Sequence, residues 1–129
     1  MRTILTRFLL LLIVATAASA QRLLIETDTQ EGMLLQQIDA EQNSPKRTAL
    51  LEQFAKSFPN HEAVTWVLGQ LQTNYLEAKQ YDKVLEAGTR SLSLDPDDVA
   101  AAHNCLKVAE AKKDIELIRR WSEQTSMVA

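Results

Sequence analysis

The chain has 129 residues, of which 46% are hydrophobic and 24% charged, with 14 Lys+Arg against 17 Asp+Glu and a formal net charge of -3. This describes one ordinary globular domain without the basic surplus that nucleic acid demands or the polar surplus of a disordered chain. Its single cysteine excludes an internal disulfide framework.

Residues 1–20 place Arg2 and Arg7 around the start of an apolar run, Phe8 to Ala15, and end on Ala18-Ser19-Ala20. A cationic start, a short apolar core and a small-x-small site predict a secretory signal peptide cleaved after Ala20. The run is well short of the roughly 20 apolar residues that span a bilayer, so no stable membrane anchor is expected after cleavage. Gln21 would become the first residue, which excludes acylation of a cysteine at that site. Losing Arg2 and Arg7 and no acid leaves 109 residues and moves the charge from -3 to -5. Asn43-Ser44 is followed by Pro45, so no glycosylation sequon exists. Together with the short signal and the missing disulfide pair, this predicts a periplasmic or secreted protein of a bacterial envelope.

Residues 21–27 read as a flexible N-terminal segment. From Asp28 onward the apolar residues recur with helical period and never with sustained period two. The first helix is expected over about Asp28 to Glu41, with Leu34, Leu35 and Ile38 inward and Asp28 with Glu31 as its capping pair. The second opens at Ser44 as N-cap with Pro45 in its first turn, carries Leu50, Leu51, Phe54 and Ala55 inward, and stops at Phe58-Pro59. Asn60 caps a third, whose Val64, Val67, Leu68, Leu71 and Tyr75 make a stripe up to about Lys79. The fourth starts near Asp82, with Val84, Leu85, Gly88, Ser91 and Leu92 inward, and ends at Asp95-Pro96. Asp97 or Asp98 caps the fifth, with Val99, Ala102, Cys105, Leu106 and Ala109 inward up to Lys112-Lys113. Asp114 caps the sixth, aligning Ile115, Ile118 and Trp121. Thr125 to Ala129 is expected to fray. Connections of two to five residues force consecutive helices into antiparallel hairpins, about 28–58, 60–95 and 97–124.

From Trp66-Val67-Leu68-Gly69 through Tyr75 to Tyr81-Asp82-Lys83-Val84 and Ser91-Leu92-Ser93-Leu94-Asp95-Pro96, the chain resembles the tetratricopeptide repeat family. The shared landmarks are an aromatic, Leu-Gly, Tyr, then Tyr-x-x-Ala and a closing Ala-Leu-x-Leu-Asp-Pro. Val84 stands where the family prefers Ala. Pro59 to Pro96 spans 37 residues against the family's usual 34, with the extra residues assigned inside or just after the third helix. The last unit lacks the closing Asp-Pro, and the first matches only in its second helix. The resemblance implies an all-α fold of three antiparallel helical hairpins, stacked as a short right-handed solenoid over residues 28–124. It also implies that the first helices of successive hairpins line a concave groove. Trp66, Gln70, Thr73 and Asn74 on the third helix, with His103, Asn104 and Lys107 on the fifth, are its candidate partner-binding residues.

Chemistry finds few footholds. His61 and His103 are far apart, His103 and Cys105 do not share a helix face, and no zinc-ligand spacing is present. Asp95-Pro96-Asp97-Asp98 lacks the Gly and distal Glu of a calcium loop, and no phosphate loop, dinucleotide fingerprint or nucleophile elbow occurs. No metal, cofactor or catalytic residue is expected, and Cys105 reads as a small buried hydrophobe. The expected function is therefore a non-catalytic adaptor or scaffold that holds a protein or peptide partner. The alternatives are a self-associating structural repeat, including a weak homo-oligomer, and an accessory factor of envelope redox or hydrolytic chemistry that uses Cys105.

Overall fold

The computed structural model describes residues 28–128. The signal-peptide reading of residues 1–20 and the flexible reading of 21–27 lie outside the described residues. The described residues form six helices and no strand: α1 (Gln30–Ala40), α2 (Ser44–Ser57), α3 (Val64–Glu77), α4 (Tyr81–Leu94), α5 (Val99–Lys112) and α6 (Ile115–Val128). The expected all-α class holds.

Local chemistry sets the ends, in part through residues other than those expected. Thr29 rather than Asp28 caps α1, its Oγ1 accepting from the Gly32 N–H at 3.0 Å. Asn43 rather than Ser44 caps α2, accepting from the Lys46 N–H at 3.1 Å, with Pro45 in the first turn as expected. Asn60 does not cap α3: the helix starts three residues later after Ala63, with no side-chain cap. There Pro59 and Asn60 lie in a turn in which the Ala63 N–H donates to His61 Nδ1 at 3.0 Å. Asp98 and Asp114 do cap α5 and α6, through Ala101 and Leu117 respectively. Helix α6 continues through Thr125, whose hydroxyl donates to the Trp121 carbonyl at 2.7 Å, to Val128.

Each helix packs on the next in sequence, and α3 also packs directly on α5. Ile38, Leu51, Phe54, Val64, Val67, Leu71, Val84 and Val108 anchor one core cluster spanning α1 to α5. Cys105, Ala109 and Trp121 anchor a second against α6, with Leu85 packed against both clusters. Buried positions recur 34 residues apart: Val67 and Ala101, Leu68 and Ala102, Leu71 and Cys105, Tyr75 and Ala109, Ala87 and Trp121. The extra residues assigned to the third helix therefore belong to the turn before it. Helices α3 and α5 are both 14 residues long, while the turn from Phe58 to Ala63 is longer than the one from Asp95 to Asp98.

The turns closing the second and third hairpins share one backbone conformation and hydrogen-bond pattern. Lys79 and Lys113, 34 apart, both take left-handed backbone, with φ of 55° and 54°. The next residue in each case, Gln80 or Asp114, donates its N–H back to the Tyr75 or Ala109 carbonyl, at 2.8 and 3.2 Å. This is the hydrogen-bond closure of a helix that ends in a left-handed residue.

Two residues expected inside are outside: Val99 is 44% and Ile115 78% exposed. Each lies six residues before the buried anchor of its helix, Cys105 or Trp121, which at about 100° per residue turns it roughly 120° away from the core.

Candidate functional site

The core stripe of α3 fixes what its opposite face presents. Val64, Val67, Leu68, Leu71 and Tyr75 turn inward, so Trp66 and Thr73, seven residues apart, share the outward face. Trp66 is 45% exposed despite its size. Thr73 is exposed and donates only to the Gly69 carbonyl one turn back, at 3.2 Å. On α5 the inward Ala101, Ala102, Cys105, Val108 and Ala109 leave His103 and Lys107 exposed, four residues apart. Because α3 packs directly on α5, the two outward stripes lie on neighbouring helices. Gly69 sits in the α3 stripe where a Cβ would meet nothing within 4 Å, so the surface beside Trp66 is open.

The other three candidates are engaged between helices. Gln70 is half-buried and its Oε1 accepts from Arg47 Nη1 at 3.2 Å, while Arg47 Nε donates to the Ile38 carbonyl at 3.1 Å. Asn74 Nδ2 donates to Thr48 Oγ1 at 2.9 Å. Asn104 Nδ2 donates to Gln72 Oε1 at 3.5 Å. Trp66, Thr73, His103 and Lys107 are thus the candidates whose side chains stand on open surface, whereas Gln70, Asn74 and Asn104 stitch neighbouring helices together.

Two features escaped the sequence reading. The first is Gln72, 1% exposed at the junction of α3, α4 and α5. Its Nε2 donates to the Val84 carbonyl at 3.1 Å and stands 3.4 Å from the Ala101 carbonyl and 3.5 Å from Cys105 Sγ. A Gln within a stripe of Leu68, Leu71 and Tyr75 was the available signal, since a buried amide must find partners. Gly88 makes room for this node: a Cβ there would overlap Cys105 Sγ and Gln72 Nε2. Burial pushes the Cys105 thiol up to about 12, the Gln72 hydrogen bond opposing this.

The second is a cleft of about 460 Å³ between α2 and α4, whose lining includes Leu68, Leu71 and Tyr75. Two side chains bridge it. Lys83 Nζ reaches Glu52 Oε1 at 3.2 Å, and Arg90 Nη2 donates to the Ala55 carbonyl at 2.8 Å. Glu52 also accepts the Tyr75 hydroxyl at 2.6 Å, and this bond, with Lys83, holds its carboxyl below the usual range against a smaller opposing effect of burial. Burial, then the Glu52 hydrogen bond, raises the Tyr75 hydroxyl.

Among the described residues no cluster of three or more His, Cys, Asp or Glu is placed to hold a metal ion. No helix among them is long and apolar enough to cross a membrane. The chain matches no protein-family model, no curated protein and no solved structure.

Proposed function

We propose that the chain is a tetratricopeptide-like adaptor of the bacterial envelope, exported by cleavage after Ala20, that binds a peptide or protein segment without catalysing a reaction. The partner lies along the groove of α3 and α5. The observation that carries this reading is the pair of outward stripes on directly packed helices, Trp66 and Thr73 beside His103 and Lys107. A large aromatic, a hydroxyl, an imidazole and an ammonium on one surface suit an extended peptide, the ring supplying contact area and the polar groups supplying register. The 34-residue recurrence of buried positions supports a stacked repeat, in which such grooves arise.

The working-thiol alternative gains no support from Cys105, which is fully buried with its thiol pushed up to about 12. For end-to-end self-association, α6 offers mixed signals: exposed Ile115 and Met127 beside Arg119, which pairs with Glu116 at 2.9 Å and Glu123 at 3.7 Å.

The test is selection from an unbiased displayed peptide library on the immobilised chain, with Trp66→Ala combined with Lys107→Ala in parallel. Peptides retained by the parent and lost by a double variant of unchanged melting temperature support the groove. Identical selections on both forms remove it. Export is tested separately, by N-terminal sequencing of chain recovered from the envelope fraction, expected to begin at Gln21.

A further inference from the structure

The short turns alternate helix direction, so the starts of α1, α3 and α5 and the ends of α2, α4 and α6 share one edge of the molecule. Side-chain contacts agree: Arg90 near the end of α4 meets Ala55 near the end of α2, and Ser91 meets Asp98 before α5. The large exposed hydrophobic residues are distributed unevenly between the two edges. Among the described residues, Met33, Trp66, Leu94, Val99 and Met127 all lie on this edge, and Ile115 at the other. Surface apolar side chains scattered evenly need no explanation, but five of the six falling on one edge are an asymmetry that does.

The same edge is acidic. Asp28, Glu62, Asp95 and Asp97 are exposed there and Asp98 is half-buried, against the cations Lys56 and Arg90, of which Arg90 is bound to the Ala55 carbonyl. Asp95 and Asp98 also serve the turn and the α5 cap. Glu62, one turn before Trp66, makes no ion pair within 4 Å among the described residues. The opposite edge mixes signs, with Lys79, Lys83, Lys112 and Lys113 among Glu77, Asp82 and Asp114.

We infer that this apolar, acidic edge is a second docking surface, and that its occupant is a basic amphipathic segment of a partner protein. The exposed apolar side chains supply contact area. The carboxylates select lysine- or arginine-rich partners and speed their arrival, an attraction that salt screens. Binding here is separate from binding in the α3 and α5 groove, save that Trp66 borders both.

The probe is a fluorescein-labelled 14-residue peptide of alternating lysine and leucine blocks with helical period, titrated with the whole chain at low salt and read by anisotropy. A glutamate-for-lysine version is the control. The basic peptide is expected to bind, the acidic one at least tenfold more weakly, and added salt to weaken the complex. Glu62→Gln with Asp97→Asn, and separately Leu94→Ser with Met127→Ser, should each weaken binding at least fivefold without moving the melting temperature. Thr73→Ala with Lys107→Ala should leave it unchanged, which separates this surface from the groove. Equal affinity for both peptides, or indifference to both edge variants, overturns the assignment. So does adsorption of the chain to zwitterionic vesicles without peptide binding, which would make the edge a lipid contact. Dimerisation in light scattering that the edge variants abolish also overturns it, in favour of a second copy.

Discussion

Gly88 is the position with least freedom. Any side chain there drives into Cys105 Sγ and Gln72 Nε2, two side-chain ends held in place, the first by full burial and the second by its bond to the Val84 carbonyl. Gly88→Ala is expected to cost about 1–3 kcal/mol, the range for overpacking a filled interior, read from the denaturant midpoint. Cys105 carries a pH signature. Burial pushes the folded thiol from the ordinary 9.0 up to about 12, so its contribution is complete below pH 9.0 and is lost as pH rises above it. Melting temperatures should fall along that alkaline limb, less steeply in Cys105→Ala, while Tyr75 adds a loss that begins above pH 10.0. Native chain should resist thiol alkylation until denatured. Lys79 and Lys113 hold left-handed backbone that glycine adopts without a Cβ clash. Lys79→Gly and Lys113→Gly should each stabilise by about 0.5–1 kcal/mol, after allowance for the greater freedom of unfolded glycine, as calorimetry can check.

Among the helices, the first hairpin is held to the second by a polar seam: Arg47 to Gln70, Asn74 to Thr48, Tyr75 and Lys83 to Glu52, and Arg90 to Ala55. Glu52, its carboxyl lowered, contributes stability that is complete above about pH 4.5 and lost as pH falls through its lower folded value. Glu52→Gln should flatten that acid limb of a pH series of thermal melts. Helical period and Pro and Gly placement made the six helices legible, because apolar stripes such as Val64, Val67, Leu71 and Tyr75 admit one inward face. Their ends were less legible, since Thr29, Asn43 and Ala63 compete with Asp28, Ser44 and Asn60 a residue or a few away, and loop geometry decides among them. The candidate site was legible only in part. Trp66, Thr73, His103 and Lys107 follow from facing away from the stripes, but the partners of Gln70, Asn74 and Asn104 lie 23 to 32 residues away in sequence, beyond the reach of local pattern. The cleft and the Gln72 node depend on three helices meeting, which no single segment encodes.

For the molecule as a whole, the core divides into two clusters that share Leu85, one across α1 to α5 and one closed by Trp121. Phe54, fully buried and touching Phe58 and His61 at 5.3 Å between ring centroids, sits in the larger. Phe54→Ala should cost about 3–5 kcal/mol and loosen the first hairpin before the third, a sequence that amide exchange would resolve. Two hairpins that close the same way and bury the same positions 34 residues apart share one backbone plan, filled by side chains of different size, Leu71 against Cys105 and Tyr75 against Ala109. A second copy of the α3 and α4 hairpin spliced in ahead of α5 would offer α5 the α4 surface it already fits, but would set Leu71 where Cys105 now packs against Gly88, so that position would have to be changed to match. With that contact matched, the molecule could lengthen by whole units, α6 remaining as its terminal lid.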